Sequence, residues 1–231
     1  MDDPLPYLDN QIEPLIGNHL DSLLRSIDLI NEASDEMLQT LEGDITGHNM
    51  FLTLSARIYN HLLAGQLLFR KGLLTDAIGC LRNAVESIYL FVFLIQDKSR
   101  MEKWLSGTEY SPREVRKHSV RSELMKNVYG GFSKITHPNA GALKTYALID
   151  RDAVGISFGP RIPKKATLFT FIQLLAASAM FLGTVVILLK AAKPEGMFDS
   201  YDKDLGDVEK IENDLQTELA DIANDSEGNR S

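Results

Sequence analysis

Cysteine is nearly absent. Cys80 is the only one in 231 residues. One thiol cannot close an intrachain disulfide or assemble a thiolate cluster, so the chain fits a reducing compartment. An excess of basic charge is absent too. The net charge is −8 and the pI about 5.2. That argues against a general nucleic-acid coat protein but leaves room for a local basic patch. There is no Walker loop, no dinucleotide fingerprint and no Cys/His metal pattern, so neither metal nor cofactor is expected. His19 and His48 lack companions at metal spacing, and His61, four residues after Arg57, reads as a surface or core residue. The opening Met1–Asn10 is acidic and lacks a basic-then-apolar leader pattern. A cytoplasmic protein is expected.

What the chain does have is helical periodicity. Apolar residues make up 44%, enough for a substantial core. Leu73–Gln96 is the organising stretch. Leu74, Ala77, Ile78, Leu81, Val85, Ile88, Val92 and Ile95 recur at three- and four-residue steps, and Leu90, Tyr89 and Phe93 add apolar groups on other faces. A helix apolar nearly all round is a central one. Arg82 and Glu86 are embedded in it, one turn apart. A carboxylate there must be paired or protonated, because an isolated buried charge is costly. Two readings fit: a structural ion pair that fixes packing, or a polar site that reaches a third group.

The other elements follow in order. A helix is expected from about Gln11 to Leu41, broken by Gly43-Asp44, and a second from about Ile45 to Arg70. Lys71-Gly72 links that helix directly to the central one, which makes the two antiparallel neighbours. Lys98–Gly107 is a short amphipathic piece. Ser111-Pro112-Arg113-Glu114 has the form of a helix start, with Ser111 as cap and Glu114 completing the box. That helix is expected to run to about Thr136 and to stop at Pro138. Tyr146–Phe158 alternates apolar and polar residues around Asp150-Arg151-Asp152, as in a short hairpin or irregular arm. Lys164–Lys190 is the last long helix. The expected architecture is an all-α, up-down helical bundle over 1–193. Residues 194–231 are expected to be an acidic tail with a short amphipathic helix and a disordered end.

Thr167–Leu189 contains no charge and is long enough to span a bilayer. A membrane span and a core helix both fit. The core reading is preferred because the other helices are strongly apolar and need a covering partner. Arg113, Arg116, Lys117, His118 and Arg121 cluster in the first turns of the capped helix, the end where cations are disfavoured. They form either a solvated face or a surface for an anion such as an RNA phosphate.

Taken together, a helical hairpin, Arg82-x3-Glu86, the Tyr129-x3-Ser133-x3-His137-Pro138 ending and a Phe-Gly-Pro before the final apolar helix resemble uncharacterised helical proteins that group loosely with HEPN domains. The resemblance covers about Ile45 to Ala191. HEPN ribonucleases are dimeric helical bundles that cleave RNA without metal, using an Arg and a His a few residues apart. Arg113 and His118 stand at such a spacing, with Glu114 where the family usually has asparagine. Arg82 is followed by Asn83, as in the family. The resemblance therefore implies a homodimer that binds or cleaves RNA in a prokaryotic stress or defence setting. On that reading His137 moves a proton at the ribose 2′-oxygen, with His118 as alternative. Arg82 or Arg113 stabilises charge on the phosphate, and Glu86 belongs to the same centre, beside which the His137 helix end could lie. Arg116, Lys117, Arg121 and Lys134 would hold the RNA backbone. A non-catalytic interaction module and a membrane-anchored protein are the competing expectations.

Overall fold

The computed structural model describes residues 16, 17, 19–118, 147–150, 153–156, 164–192 and 199–228. It is an all-α helical bundle with one small hairpin. The helices are α1 (His19–Thr40), α2 (Ile45–Arg70), α3 (Leu74–Ile95), α4 (Lys98–Leu105), α5 (Pro112–His118), α6 (Lys164–Ala192) and α7 (Asp199–Gly228). Between α5 and α6 lie β1 (Ala147–Asp150) and β2 (Ala153–Ile156). They pair antiparallel, with Ala147 opposite Ile156 and Asp150 opposite Ala153.

The tight link between α2 and α3 forms because Gly72 accepts φ +71°, a left-handed conformation. Its amide donates to Phe69 O at 2.9 Å, and the Leu73 amide donates to Leu68 O at 2.9 Å. These two bonds satisfy carbonyls that the end of α2 would otherwise leave open. The chain reverses, and α2 and α3 pack side by side. α6 packs against α1, α2 and α3, so four long helices enclose one core. Gly65 sits where α2, α3 and α6 meet. A Cβ there would lie 3.3 Å from Leu174 Cδ2, 3.5 Å from Ala77 O and 3.6 Å from Cys80 Cβ. The core rings interlock edge to face: Phe51 on Phe91 at 5.6 Å and Phe91 on Phe181 at 5.8 Å between centroids, a favoured aromatic arrangement.

Two helices, Leu74–Ile95 and Thr167–Ala192, are long and apolar enough to cross a bilayer by length and composition. In the fold they serve as core. Phe171, Leu174, Leu175, Phe181, Leu182 and Val185 of α6 are fully buried along one face, and Thr170, Ile172 and Ala177 extend the burial to either side of it. Ile187, 55% exposed, is the large apolar side chain of α6 that faces outward.

The C-terminal segment departs from the expected short helix in an acidic tail. α7 runs for 30 residues, to Gly228, and so continues past Asn224, where disorder was expected. It packs along α6 and α1. Tyr201, Leu205, Val208, Ile211 and Leu215 fall at three- and four-residue steps and bring one stripe of α7 onto the bundle. Val208 and Leu215 are buried in the common core. The Tyr201 hydroxyl donates to Glu36 Oε2 at 3.4 Å, and Lys190 pairs with Asp202. The stripe outweighs the acidity because Asp202, Lys203, Asp207, Lys210 and Asp214 stay exposed to solvent. The described part of this segment thus belongs to the bundle rather than standing apart from it.

Candidate functional site

The site grows from one turn of α3. Arg82 Nε donates to Glu86 Oε1 at 3.1 Å, and the two side chains are 26% and 28% exposed. The central helix therefore does hold a half-buried ion pair, with its polar edge turned to the surface. Beside Glu86 is a cleft of about 130 Å³. Its polar lining is Arg57 from α2, Glu86 and Tyr89 from α3, Tyr110 from the α4–α5 connection and Arg116 from α5. Leu90, Pro112 and Val115 complete the wall. The Ser87 hydroxyl also lines it but donates to Asn83 O at 2.7 Å within its own helix.

Local chemistry places each of these groups. Asp97 caps α4, accepting from the Ser99 amide at 2.8 Å. Arg100 then lies 4.3 Å from the centre of the Phe93 ring and donates to Phe93 O at 3.3 Å. Tyr110 packs edge-on against Phe93 at 5.0 Å, and its hydroxyl donates to Arg100 O at 3.4 Å. This knot fixes Tyr110 at the mouth of the cleft. One residue later Ser111 caps α5: the Glu114 amide donates to Ser111 Oγ at 3.2 Å, as the sequence pattern anticipates. The cap sets the rotation of α5. Val115 is buried against α3, and Arg116 turns inward with a fully buried Nη1. The Tyr89 hydroxyl is also buried there. Arg113 and Lys117 are exposed and lie outside the lining.

Of the residues singled out from sequence, the fold brings Glu86 and Arg116 to one cleft and sets Arg82 against Glu86. Arg113, Lys117 and His118 share the short α5. Arg121, Tyr129, Ser133, Lys134 and His137 lie outside the described residues. Three lining groups were not foreseen. Arg57 carried one signal: it is the only charged residue between Ile45 and Phe69. Tyr89 was read as core, and Tyr110 gave no sign beyond standing next to a cap.

The electrostatics are local. Burial first and the Arg57 charge second hold the His61 imidazole below its ordinary value. Burial, aided by Asp76, pushes the Cys80 thiol up, which makes it a poor nucleophile. Among the described residues no group of three or more His, Cys, Asp or Glu could hold a metal ion. At about 130 Å³ the cleft is smaller than the roughly 300–1,000 Å³ of drug-sized and cofactor sites, and is of a size to take one phosphate or one small planar group. The chain matches no family model, no curated protein and no solved structure.

Proposed function

We propose that the protein is a HEPN-like bundle that binds RNA, seating one backbone phosphate in the cleft between Arg57 and Arg116. One observation carries this reading. Two arginines from separate helices converge with two tyrosines on a phosphate-sized cleft, in a protein whose overall charge is negative. Guanidinium groups suit phosphate because their planar donors match its oxygens. The Glu86 carboxylate beside them is itself offset by Arg82, whose Nε donates to its Oε1 at 3.1 Å. The tyrosine rings offer apolar edges to a ribose or base. Cleavage is the further part of the proposal: His137 would carry the proton, as the HEPN resemblance implies, without a metal.

The test is fluorescence anisotropy with a short labelled single-stranded RNA at about 50 mM and about 200 mM salt. Wild type should bind, and Arg57→Ala combined with Arg116→Ala should weaken binding by about tenfold or more at the lower salt. Equal binding by the double variant would sink the cleft as the RNA site. Cleavage of the same RNA in EDTA, lost in His137→Ala while binding persists, would establish the catalytic part. RNA left intact by wild type would limit the protein to binding.

A further inference from the structure

We propose that Glu86 selects ribose over deoxyribose in the bound nucleic acid, its second carboxylate oxygen accepting from the 2′-hydroxyl beside the seated phosphate. This rests on the RNA reading and adds to it, because phosphate contacts alone treat RNA and DNA alike. Arg57 and Arg116 can only donate. Glu86 is the one carboxylate among the described residues that line the cleft, and a carboxylate can only accept. To a lone phosphate it offers nothing, and its charge, though offset by Arg82, opposes an anion. It contributes once the ligand carries a neutral donor next to its anionic group.

The geometry narrows that donor. Glu86 Oε1 accepts from Arg82 Nε at 3.1 Å, a charge-assisted bond that holds the carboxylate in place. Oε2 has no partner among the described residues. The side chain is 28% exposed, so a ligand can reach it. Two nearby hydroxyls do not compete for Oε2: Ser87 donates to Asn83 O and Tyr110 to Arg100 O. A cleft of about 130 Å³ that seats a phosphate has no room for a base as well. The 2′-hydroxyl needs none, because it sits on the ribose carbon adjacent to the one that bears the 3′ phosphate ester. Deoxyribose offers only C–H at that position and leaves the carboxylate without a donor. The 2′-hydroxyl is the group by which a protein tells RNA from DNA at a given site.

Fluorescence anisotropy at about 50 mM salt, with one sequence made as RNA, as DNA and as 2′-fluoro RNA, tests this. The fluoro sugar keeps the ribose pucker but has no O–H to donate. Wild type should bind RNA about tenfold or more tighter than either analogue, as one hydrogen bond to a charged group contributes. Glu86→Ala should bring the ratio of RNA to DNA affinity to about one. Glu86→Gln, whose amide oxygen still accepts, should keep part of it. Arg57→Ala should weaken all three ligands together and leave the ratio standing, since it removes a phosphate contact. Equal binding of the three ligands by wild type would overturn the inference and leave the phosphate site intact. A ratio that survives Glu86→Ala in a folded variant would overturn it too, as would a preference that follows the base rather than the sugar. Binding of none of the three would bring down the RNA reading and this inference together.

Discussion

Arg82 and Glu86 occupy a helix where either charge alone would be expensive. The pair is half-buried, so its Coulomb energy is screened less than that of a surface pair but not wholly unscreened. Losing either partner removes a charge-assisted hydrogen bond from the other. Glu86→Ala is therefore expected to cost about 1–2 kcal/mol, seen as a lower urea midpoint. Replacing both residues by leucine should cost less than the sum of the single changes, because each single change already removes the shared bond. A double variant that loses the full sum would show that the two groups act separately. His61 makes a pH prediction. Its folded pKa is depressed by burial and by Arg57, so on acidification the unfolded chain takes up the proton first. Stability is then fully present above the ordinary histidine value of about 6.5. It declines as pH falls through that value toward the lower folded pKa. Urea midpoints measured from about pH 8 to pH 5 should show this decline, and His61→Gln should flatten that part of it. An imidazole midpoint at or above 6.5 by NMR would contradict the local electrostatics.

The elements were legible where a single helix face carries the information. α2, α3, the short amphipathic piece that is α4, the Ser111 cap and the late hairpin can all be read from spacing and turn chemistry. The half-buried Arg82–Glu86 pair was legible for the same reason, since both partners lie on one helix. The cleft was not, because Arg57, Tyr110 and Arg116 come from three elements whose convergence depends on how the helices rotate when packed. α7 was misjudged in extent because acidity masks a sparse apolar stripe in a reading by composition. Two glycines test the packing that sequence could not specify. Gly72 needs φ +71°, so Gly72→Ala should cost about 1–2 kcal/mol and loosen the α2–α3 turn. Gly65 has normal helical geometry but little room. Gly65→Ala asks only that Leu174 shift by a few tenths of an ångström, and the gain in helix propensity offsets that; its effect should stay within about 1 kcal/mol. Gly65→Val cannot be accommodated between α2, α3 and α6 and should cost about 1–3 kcal/mol. Thermal melts of the pair would read the junction directly; equal melting of wild type and Gly65→Val would mean the helices are not so close.

Across the whole molecule, charge is divided unevenly. Residues 194–231 hold twelve carboxylates and three cations, a net −9, so the remaining 193 residues of this −8 chain carry +1. α7 rests on α1 and α6, whereas the arginine cleft is built from α2, α3 and the α4–α5 corner. The acidic helix therefore opposes an anionic ligand through the long-range field rather than by occupying its site. Such a field acts over roughly a Debye length, about 10 Å at 0.1 M salt, and shrinks as salt rises. Asp207 and Asp214 are exposed on α7, while Val208 and Leu215 beside them hold the helix to the core. Changing both aspartates to asparagine takes the net charge from −8 to −6 and leaves the buried stripe intact. RNA affinity should then rise about two- to threefold at about 50 mM salt and return to the wild-type value near 300 mM, with the melting temperature nearly unchanged. A rise that persists at high salt would place the RNA in direct contact with α7, and binding indifferent to the two changes at low salt would mean the acidic helix exerts no field where the ligand sits.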